Sequence, residues 1–354
     1  MITFDGIIFS LRNSLGGIGV YFRELIRHAA MDAQPMQVLL HDSALTAAGL
    51  GCTPDKLQFR KARRLERYRS VDGLPEGIFH SSYYRTAARR NVASVQTVYD
   101  FTYEKYGSGA AALAHSLQKR RAIAHADAVM CISENTRQDL FEFLPSYPRE
   151  KVFVTHLAAS SQFRPLDAAT LESTAAVAQP GIHAPFVLFV SGRSTYKNFA
   201  AAVEAVRLAQ NVALVCVGAG PFTPAELQLL ETSLPGRYSH SGRIDMEGLN
   251  RLYNTAVCLL YPSLYEGFGI PPLEAMSAGC PFIALNRSSI PEVAGPAGIL
   301  LDDPTPELMA AGILKCMDSR ERIDLRARGL EQARKFSWEN TYAETLRIYR
   351  GIGR

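Results

Sequence analysis

The sequence lacks several features that would place the chain in a special structural class. No apolar run approaches the roughly 20 residues that a membrane-spanning helix needs. Residues 1–5 show no basic segment ahead of a short apolar core, so we expect no export signal. Internal repeats and low-complexity tracts are also missing. With 354 residues, 47% hydrophobic and 20% charged, the chain is long enough for two ordinary globular domains.

Cysteine is scarce and scattered. The six cysteines form no Cys-x-x-Cys pair and show no spacing typical of a zinc site, and several lie in apolar runs. We therefore expect reduced core cysteines in a cytoplasmic protein.

The positive charge is concentrated in the first half of the chain. Residues 1–180 hold 21 Lys and Arg against 17 Asp and Glu, whereas the remainder is balanced. Much of the excess lies in a basic run at 56–69, with smaller clusters at 119–121 and at Arg89 and Arg90. Such a run indicates either a solvated helix face or attraction to anionic lipid headgroups or a diphosphate-bearing acceptor. Nucleic acid is not expected, because no recognised binding motif accompanies the charge.

Short apolar runs alternate with helical patterns along the whole chain, which predicts doubly wound α/β units. The first set of predicted strands is 2–9, 36–41, 78–81, 95–99, 129–132 and 152–156, and the second set is 186–190, 213–217, 257–261, 282–285 and 298–301. The segment between the sets is rich in Ala, Thr, Gly and Pro, so we expect a linker there. Ser337 is a plausible N-cap for a final helix.

Two glutamates eight positions apart, Glu266 and Glu274, are the most informative residues of the chain. The run 256–261 predicts a buried strand, Gly269 permits a sharp turn, and a proline pair suits the start of a helix that Gly279 ends. We expect Glu266 at the carboxyl end of the strand and Glu274 in the first turn of the helix. Amides at a helix start bind phosphate or hydroxyl groups, which indicates a sugar-nucleotide ligand. For Glu274 alone, an ordinary acidic helix start is an equal alternative.

A glycine-rich turn follows the first predicted strand and contains Gly17 and Gly19. Such a turn lets backbone amides approach a phosphate or a sugar. Dinucleotide binding is the rival interpretation, with Asp42 near the position of a ribose-binding acid. The fingerprint fails at its third glycine, where Phe22 would disrupt close packing of helix on strand.

Three further blocks follow predicted strands. They are Arg193 to Lys197 with Asn198, Tyr99 with Asp100, and the pair Ser133 and Glu134, while His80 lies at the end of another strand. Arg193 and Lys197 would lie at a carboxyl edge of the sheet, where open α/β sheets bind ligands.

Together these blocks resemble the retaining glycosyltransferases of family GT4, which have the GT-B fold, and this similarity extends over nearly the whole chain. The overall likeness is to bacterial mannosyl- and rhamnosyltransferases of O-antigen assembly. The resemblance implies two Rossmann-like doubly wound domains facing a central cleft, with a C-terminal helix crossing back to the N-terminal domain. The expected divisions are an acceptor-side domain at 1–165, a linker at 166–182, a nucleotide-sugar domain at 183–336 and the crossover helix at 337–354.

The resemblance also implies roles for the donor-side residues. Arg193 and Lys197 would bind the donor diphosphate and stabilise the charge that it gains on departure. Glu274 would bind the nucleotide ribose, and Gly17 and Gly19 would approach the diphosphate from the facing domain. Glu266 would bind the sugar hydroxyls together with the backbone amides of Phe268, Gly269 and Ile270.

On the acceptor side the sequence departs from the family. Tyr99 stands where the family usually has a histidine, and a phenol does not titrate near neutral pH. Asp100 is a candidate for orienting an acceptor hydroxyl, with a turn cap as the alternative. His80, Ser133 and Glu134 resemble family positions that line the cleft.

The implied activity is retaining transfer of a hexose from a nucleoside diphosphate sugar to a saccharide acceptor in surface glycan synthesis. No Asp-x-Asp occurs, so we expect no metal. GDP-mannose is the first expected donor and a UDP-hexose the second, with an acceptor linked to a lipid diphosphate at the cytoplasmic face of the membrane. A catalytically silent sugar-nucleotide-binding subunit and an NAD-linked oxidoreductase remain as alternatives.

Overall fold

A computed structural model describes residues 1–11, 16–41, 46–88, 91–167, 169–171 and 185–352. The chain divides into two compact units, the first formed by Met1–Leu157 with Ser337–Arg354 and the second by Ala158–Phe336. Asp42, Arg89, Arg90 and most of the expected linker lie outside the described residues.

The described part of the first unit contains one parallel sheet in the order β3-β2-β1-β4-β5-β6-β7. Its strands are β1 (Ile2–Asp5), β2 (Met36–His41), β3 (Leu57–Arg60), β4 (Gly77–Ser81), β5 (Val92–Val98), β6 (Ala128–Cys131) and β7 (Val152–Val154). Its α-helices up to β7 are α1 (Gly17–Met31), α2 (Ala47–Leu50), α3 (Thr102–Tyr106), α4 (Gly109–Ala124) and α5 (Glu134–Phe143). Short 3-10 helices span Gly6–Ser10, Pro54–Lys56, Glu66–Tyr68 and Arg149–Lys151.

The second unit repeats this plan, and its described strands have the order β10-β9-β8-β11-β12-β13, all parallel. They are β8 (Phe186–Val190), β9 (Ala213–Val217), β10 (Tyr238–His240), β11 (Cys258–Tyr261), β12 (Phe282–Leu285) and β13 (Ile299–Leu301). The helices are α6 (Phe199–Ala209), α7 (Pro224–Ser233), α8 (Met246–Thr255), α9 (Ile270–Ala278), α10 (Ile290–Ala294), α11 (Pro306–Met317) and α12 (Ser319–Ala333), with a 3-10 turn at Thr195–Lys197. The chain then returns to the first unit with α13 (Trp338–Ile352).

The two doubly wound units that the sequence predicts are confirmed. In the second unit β8, β9 and β12 have the predicted bounds, and the sheet core is made of the continuous apolar runs that parallel strands need. Two edge strands, β3 and β10, were not predicted, because edge strands are short and partly exposed. The predicted first strand is too long, since the chain turns into a 3-10 helix after Asp5.

The basic run at 56–69 is not the solvated helix face that was one of its two interpretations. It consists of the last residue of one 3-10 helix, strand β3, a loop and a second 3-10 helix. Lys119 of the smaller cluster is also not on a charged surface, because its side chain is 1% exposed and bonded inside the first unit. Five of the six cysteines are buried, and all six are free thiols.

The first unit ends earlier than the expected residue 165. The amides of Arg164 and Leu166 donate to the side chains of Asn250 and Asn254, and these bonds attach this segment to the second unit. Apolar runs alone do not show such an attachment, because it rests on buried amide side chains of α8.

The final helix α13 completes the core of the first unit. Ser337 caps it by accepting a hydrogen bond from the amide of Asn340 at 3.1 Å, as predicted. Thr341 donates to the carbonyl of His156 at 2.6 Å, and the hydroxyl of Tyr349 lies 2.5 Å from Nδ1 of His80. Among the described residues, no helix combines the length and apolar composition that crossing a bilayer demands.

We predict that Tyr349→Phe destabilises the first unit by about 1–3 kcal/mol, because it leaves a ring nitrogen of the buried His80 without its partner. The melting temperature measured by intrinsic fluorescence should fall by roughly 3–8 °C. Tyr342→Phe on the same helix is the control, since its longer bond to Asp32 at 3.3 Å is part-buried. Equal shifts for both variants would show that the His80 contact has no special weight.

Candidate active site

The candidate site of the second unit lies at the point where its strand order reverses. β8 and β11 are neighbours in the sheet. The chain continues from β8 to β9 on one side of this pair and from β11 to β12 on the other. Such a switch point opens a crevice in which α/β sheets bind ligands. The two loops that follow these strands are joined by a hydrogen bond from the amide of Leu264 to the carbonyl of Tyr196 at 2.8 Å.

Lys197 and Glu266 form an ion pair across this crevice. Nζ of Lys197 lies 2.5 Å from Oε1 of Glu266, and the two side chains are 13% and 12% exposed. The 3-10 turn that ends at Lys197 places the lysine beside β8, and Asn198 takes the left-handed conformation that leads into α6. Since the pair is largely buried, salt screens it less than a surface pair.

The loop around Glu266 is fixed from two neighbouring residues. The amide of Glu266 donates to Oγ of Ser288 at 3.0 Å, and its carbonyl accepts from Oγ of Ser289 at 3.0 Å. Burial, followed by the charge and hydrogen bond of Glu266, raises the pKa of Tyr261 well above its ordinary value. Tyr261 therefore remains a hydrogen-bond donor to Glu266 at any physiological pH.

Arg193 is held by the loop that follows β9 and by the first turn of α7. Its Nε donates to Glu226 at 3.0 Å, and its Nη2 donates to the carbonyls of Gly220 and Pro221 at 2.6 and 2.8 Å. Although burial opposes the shift, hydrogen bonds from Thr223 and Arg193 lower the pKa of Glu226. The side chain of Arg193 is 6% exposed, so its charge is fixed in place before any ligand binds.

Helix α9 begins at the crevice with very few amide donors. Gly269, its N-cap, has φ 112°, and a Cβ at this position would lie 2.8 Å from Cδ1 of Ile290, so only glycine fits. The proline pair that follows has no N–H, and the first intrahelical bond runs from Leu273 to Gly269. The donors at this helix start are therefore concentrated at Gly269 and Ile270.

Glu274 lies one turn deeper in α9 than predicted. The helix begins at Ile270, so Glu274 is its fifth residue and not part of the first turn. Its Oε2 accepts a hydrogen bond from the hydroxyl of Tyr253 at 3.0 Å. Burial raises the pKa of Glu274 to about 7, and the bond from Tyr253 opposes that shift. A partly buried acid with a raised pKa is typical of a ligand-binding position.

The first unit has a cavity of its own at the corresponding switch point, between β1 and β4. Its volume is about 520 Å³, and the loops after β1, β4 and β5 line it. The predicted residues Gly17, Tyr99 and Asp100 belong to its wall, together with residues that were not predicted: Ile8, Leu11, Gly16, Ile18, Arg67, Tyr83, Tyr84, Tyr103 and His115. We call this space the tyrosine-lined cavity.

The contacts of Tyr99 and Asp100 are partly structural. The hydroxyl of Tyr99 donates to the carbonyl of Ser82 at 3.3 Å, and burial raises its pKa well above the ordinary value. Oδ1 of Asp100 accepts from the amide of Thr102 at 2.9 Å, which is the turn cap given as the alternative. One carboxylate oxygen thus fixes the loop, and the residue still borders the cavity.

The structure does not bring His80, Ser133 and Glu134 to this cavity. His80 is fully buried with both ring nitrogens bonded, to Tyr349 and Thr97, and burial lowers its pKa to about 3. Ser133 is the buried N-cap of α5, and Glu134 pairs with Arg137 on that helix. A role of these three residues at the cleft remains a prediction.

Sequence reasoning missed the partners of the predicted residues. Glu226, Tyr253 and Ser289 each contact a predicted site residue, but they lie in other helices and loops. Only Glu226 had a local signal, since it belongs to a capping box with Thr223. Within the described ranges, no three side chains of His, Cys, Asp and Glu come together as a metal ion would need.

The fold defines a doubly wound α/β protein, a class that binds ligands in the crevice at the switch point of its sheet. Residues 177–336 match the family described as "Glycosyl transferases group 1". This match confirms the resemblance found in the sequence.

Named relatives agree with this family match. The chain is 32% identical over 233 residues to O-antigen chain mannosyltransferase B of Escherichia coli, an alignment covering 64% of the chain and 61% of the relative. It is 28% identical over 253 residues to alpha-maltose-1-phosphate synthase of Mycolicibacterium smegmatis, covering 66% and 65%. The chain thus spans less than two thirds of either relative.

The fold also matches solved structures. Anabaena Alr3699/HepE, solved in complex with UDP and glucose, superimposes with a TM-score of 0.75 and 15% identity, covering 98% of this chain and 99% of that one. At this identity the likeness establishes the fold alone.

We predict that Glu274→Gln stabilises the ligand-free chain at pH 8 and has a smaller effect at pH 5. The folded-state pKa of about 7 exceeds the ordinary value of 4.5. The folded chain therefore retains a proton that the unfolded chain loses, and stability falls as pH rises from about 4.5 to 7. Above that range the cost of the buried carboxylate is on the order of 2–3 kcal/mol.

The measurement is the melting temperature of both proteins across this pH range. Glu331→Gln, an exposed glutamate on α12, is the matched control and should show no pH-dependent gain. A Glu274→Gln variant that melts below the parent at pH 8 would contradict the raised pKa.

Proposed function

We propose that the chain is a retaining glycosyltransferase that moves a hexose from a nucleoside diphosphate sugar to a hydroxyl group of a saccharide acceptor. The observation that supports this most is the Lys197–Glu266 pair at the switch point of a sheet whose residues match a glycosyltransferase family. The pair places a cation that suits a phosphate directly beside a carboxylate that suits sugar hydroxyls.

On the donor side, Lys197 binds the diphosphate and Arg193 adds a fixed positive charge beside it. Glu266 accepts hydrogen bonds from the sugar hydroxyls, and the amides of Gly269 and Ile270 donate to the same sugar. Glu274, buried beside Tyr253, accepts from the ribose hydroxyls. The contributions of the Phe268 amide and of Gly17 and Gly19 to donor binding remain predictions.

In the proposed reaction, the bond between the anomeric carbon and the phosphate oxygen breaks, and its electron pair goes to the leaving diphosphate. The acceptor oxygen forms the new bond on the same face of the sugar, and its proton passes to the leaving phosphate. Lys197 and Arg193 stabilise the charge on that phosphate, a term that is often the largest in such reactions. No metal has a part in this scheme.

On the acceptor side, the tyrosine-lined cavity binds the saccharide. Aromatic faces pack against the apolar faces of sugar rings, and four tyrosines with His115 supply them. Asp100 is half-buried at the wall and has a second carboxylate oxygen beyond the one that caps the loop. We assign that oxygen to orienting the acceptor hydroxyl, with Asp100 as the catalytic residue of this unit.

The finer identity of the substrates follows the named relatives. GDP-mannose is the first candidate donor, because one relative is called an O-antigen chain mannosyltransferase, and a UDP-hexose is the second. The acceptor is proposed to be linked to a lipid diphosphate, with the chain on the cytoplasmic face of the membrane and in peripheral contact with it. A thermal-shift screen of nucleoside diphosphates distinguishes the two donors.

We predict that Lys197→Ala lowers kcat by about 10² or more, because the leaving diphosphate loses its nearest fixed cation. Transfer or donor hydrolysis is measured with the donor that the screen identifies. Lys315→Ala, which removes an exposed lysine of α11, is the control and should keep the parent rate. Turnover near the parent value in a folded Lys197→Ala chain would reject the role of the lysine.

This experiment also separates the transferase from a catalytically silent nucleotide-binding subunit. A silent subunit would bind the nucleoside diphosphate, lose that binding on Lys197→Ala, and show no transfer or hydrolysis in the parent chain.

We predict that Tyr103→Ala raises the acceptor KM about three- to tenfold, because one stacking face of the cavity is lost. Donor hydrolysis without acceptor should be unchanged. Tyr106→Ala is the matched control, since Tyr103 and Tyr106 lie on the same short helix and are 45% and 47% exposed, but only Tyr103 lines the cavity. Equal KM changes in both variants would place acceptor binding elsewhere.

A further inference from the structure

We propose that the first unit binds a phosphate-bearing ligand in a second cavity, which we call the basic cavity. It has a volume of about 430 Å³ and shares no lining residue with the tyrosine-lined cavity. Its basic side chains come from three parts of the chain: the segment 60–69, the position Arg85 and the end of α4 at Arg121.

The charge of this cavity is strongly one-sided. Six cations line it, namely Arg60, Lys61, Arg63, Arg69, Arg85 and Arg121, against two acids, Glu66 and Asp72. Glu66 is already bonded to Arg85 at 2.6 Å, and Asp72 is paired with Arg60. Among the described residues, no ion pair joins an acid to any of the other four cations. An anion with more than one charge is the ligand that balances this set.

The cavity has a rigid, buried base. Arg85 is 1% exposed at its side chain and donates to Oδ1 of Asp5 at 2.9 Å and to the carbonyl of Arg69 at 3.1 Å. These bonds connect the end of β1 to the segment that carries the exposed cations. A site whose base is fixed before binding loses little conformational freedom when the ligand arrives.

A buried histidine also borders the basic cavity, and Arg85 fixes its ring. Nε2 of His41 lies 3.0 Å from Nη1 of Arg85, and since a guanidinium only donates, Nε2 must be the acceptor. The ring proton is therefore on Nδ1, which has no hydrogen-bond partner among the described residues, although His41 is 1% exposed. His41 lines the basic cavity, so the bond from Arg85 fixes the ring tautomer of a residue in its wall.

Phosphate fits this arrangement better than a neutral sugar does. Arginine forks bind phosphate oxygens with paired, charge-assisted hydrogen bonds, and four of the six cations are arginines on the segment 60–69 or at Arg121. The shared chemistry is a phosphate or diphosphate group, which either a soluble ligand or a lipid headgroup supplies. The inference does not rest on the proposed transferase activity, because it concerns binding alone.

The test uses the full chain and two probes: inorganic pyrophosphate, followed by calorimetry, and phosphatidylcholine vesicles with or without phosphatidylglycerol, followed by co-sedimentation. The test variant is Lys61→Ala with Arg63→Ala, both exposed and both lining the cavity. The control is Lys56→Ala with Arg64→Ala, which removes the same charge from the same run outside the cavity. Melting temperatures confirm that both variants are folded.

We expect the test variant to weaken pyrophosphate binding by about tenfold or more and the control by less than about twofold. A second outcome is binding to vesicles with phosphatidylglycerol but not to pyrophosphate, with this binding lost in the test variant and kept in the control. That outcome would support the site and show that a lipid headgroup supplies the phosphate. Equal loss in both variants would show diffuse attraction to the basic run and overturn the site. Absence of binding to either probe would overturn it as well.

Discussion

The ion pair between Lys197 and Glu266 is the interaction on which the candidate site depends. It spans the two strands at which the sheet order of the second unit reverses, so it joins loops that are 69 residues apart in sequence. The backbone of each partner is also fixed. Lys197 ends a 3-10 turn, and the backbone of Glu266 is hydrogen-bonded to Ser288 and Ser289. Breaking the pair would leave a largely buried charge uncompensated, which is far more costly than losing a surface pair.

The same logic extends to the other polar side chains of the crevice. Arg193 is paired with Glu226, and Glu274 with Tyr253, so each group is held in position by an internal partner before any ligand binds. A site arranged in this way needs little reorganisation when charge develops on a leaving group. The raised pKa of Glu274 shows what this arrangement costs in stability. Burial near the helix start removes water from the carboxylate and so disfavours its charged form.

The sequence predicts the sheets and the strand-end loops well. The alternation of apolar runs with helical patterns, and the glycine and proline residues at turns, are signals that short stretches of sequence contain. It places Lys197 and Glu266 correctly at neighbouring strand ends, since a doubly wound order brings those ends together. It does not predict Tyr253 or Ser289, because Tyr253 contributes through its bond to the side chain of Glu274 and Ser289 through its bonds to the carbonyls of Glu266 and Phe268. The predicted boundary of the first unit differs for the same reason. Asn250 and Asn254 accept hydrogen bonds from the backbone of a segment distant in sequence, and a hydrophobic pattern does not predict such bonds.

Lys119 shows most clearly why charge patterns mislead. In sequence it begins a run of three basic residues, yet its ammonium is buried and donates to the carbonyl of Asp100 at 2.8 Å and to Glu104 at 2.7 Å, with Phe101 4.5 Å away. A helix turns by 100° per residue, so adjacent cations face different surroundings. The buried cation fixes the loop that presents Asp100 and Tyr103 to the tyrosine-lined cavity. Each unit therefore builds its candidate binding surface on a buried lysine bonded to a glutamate.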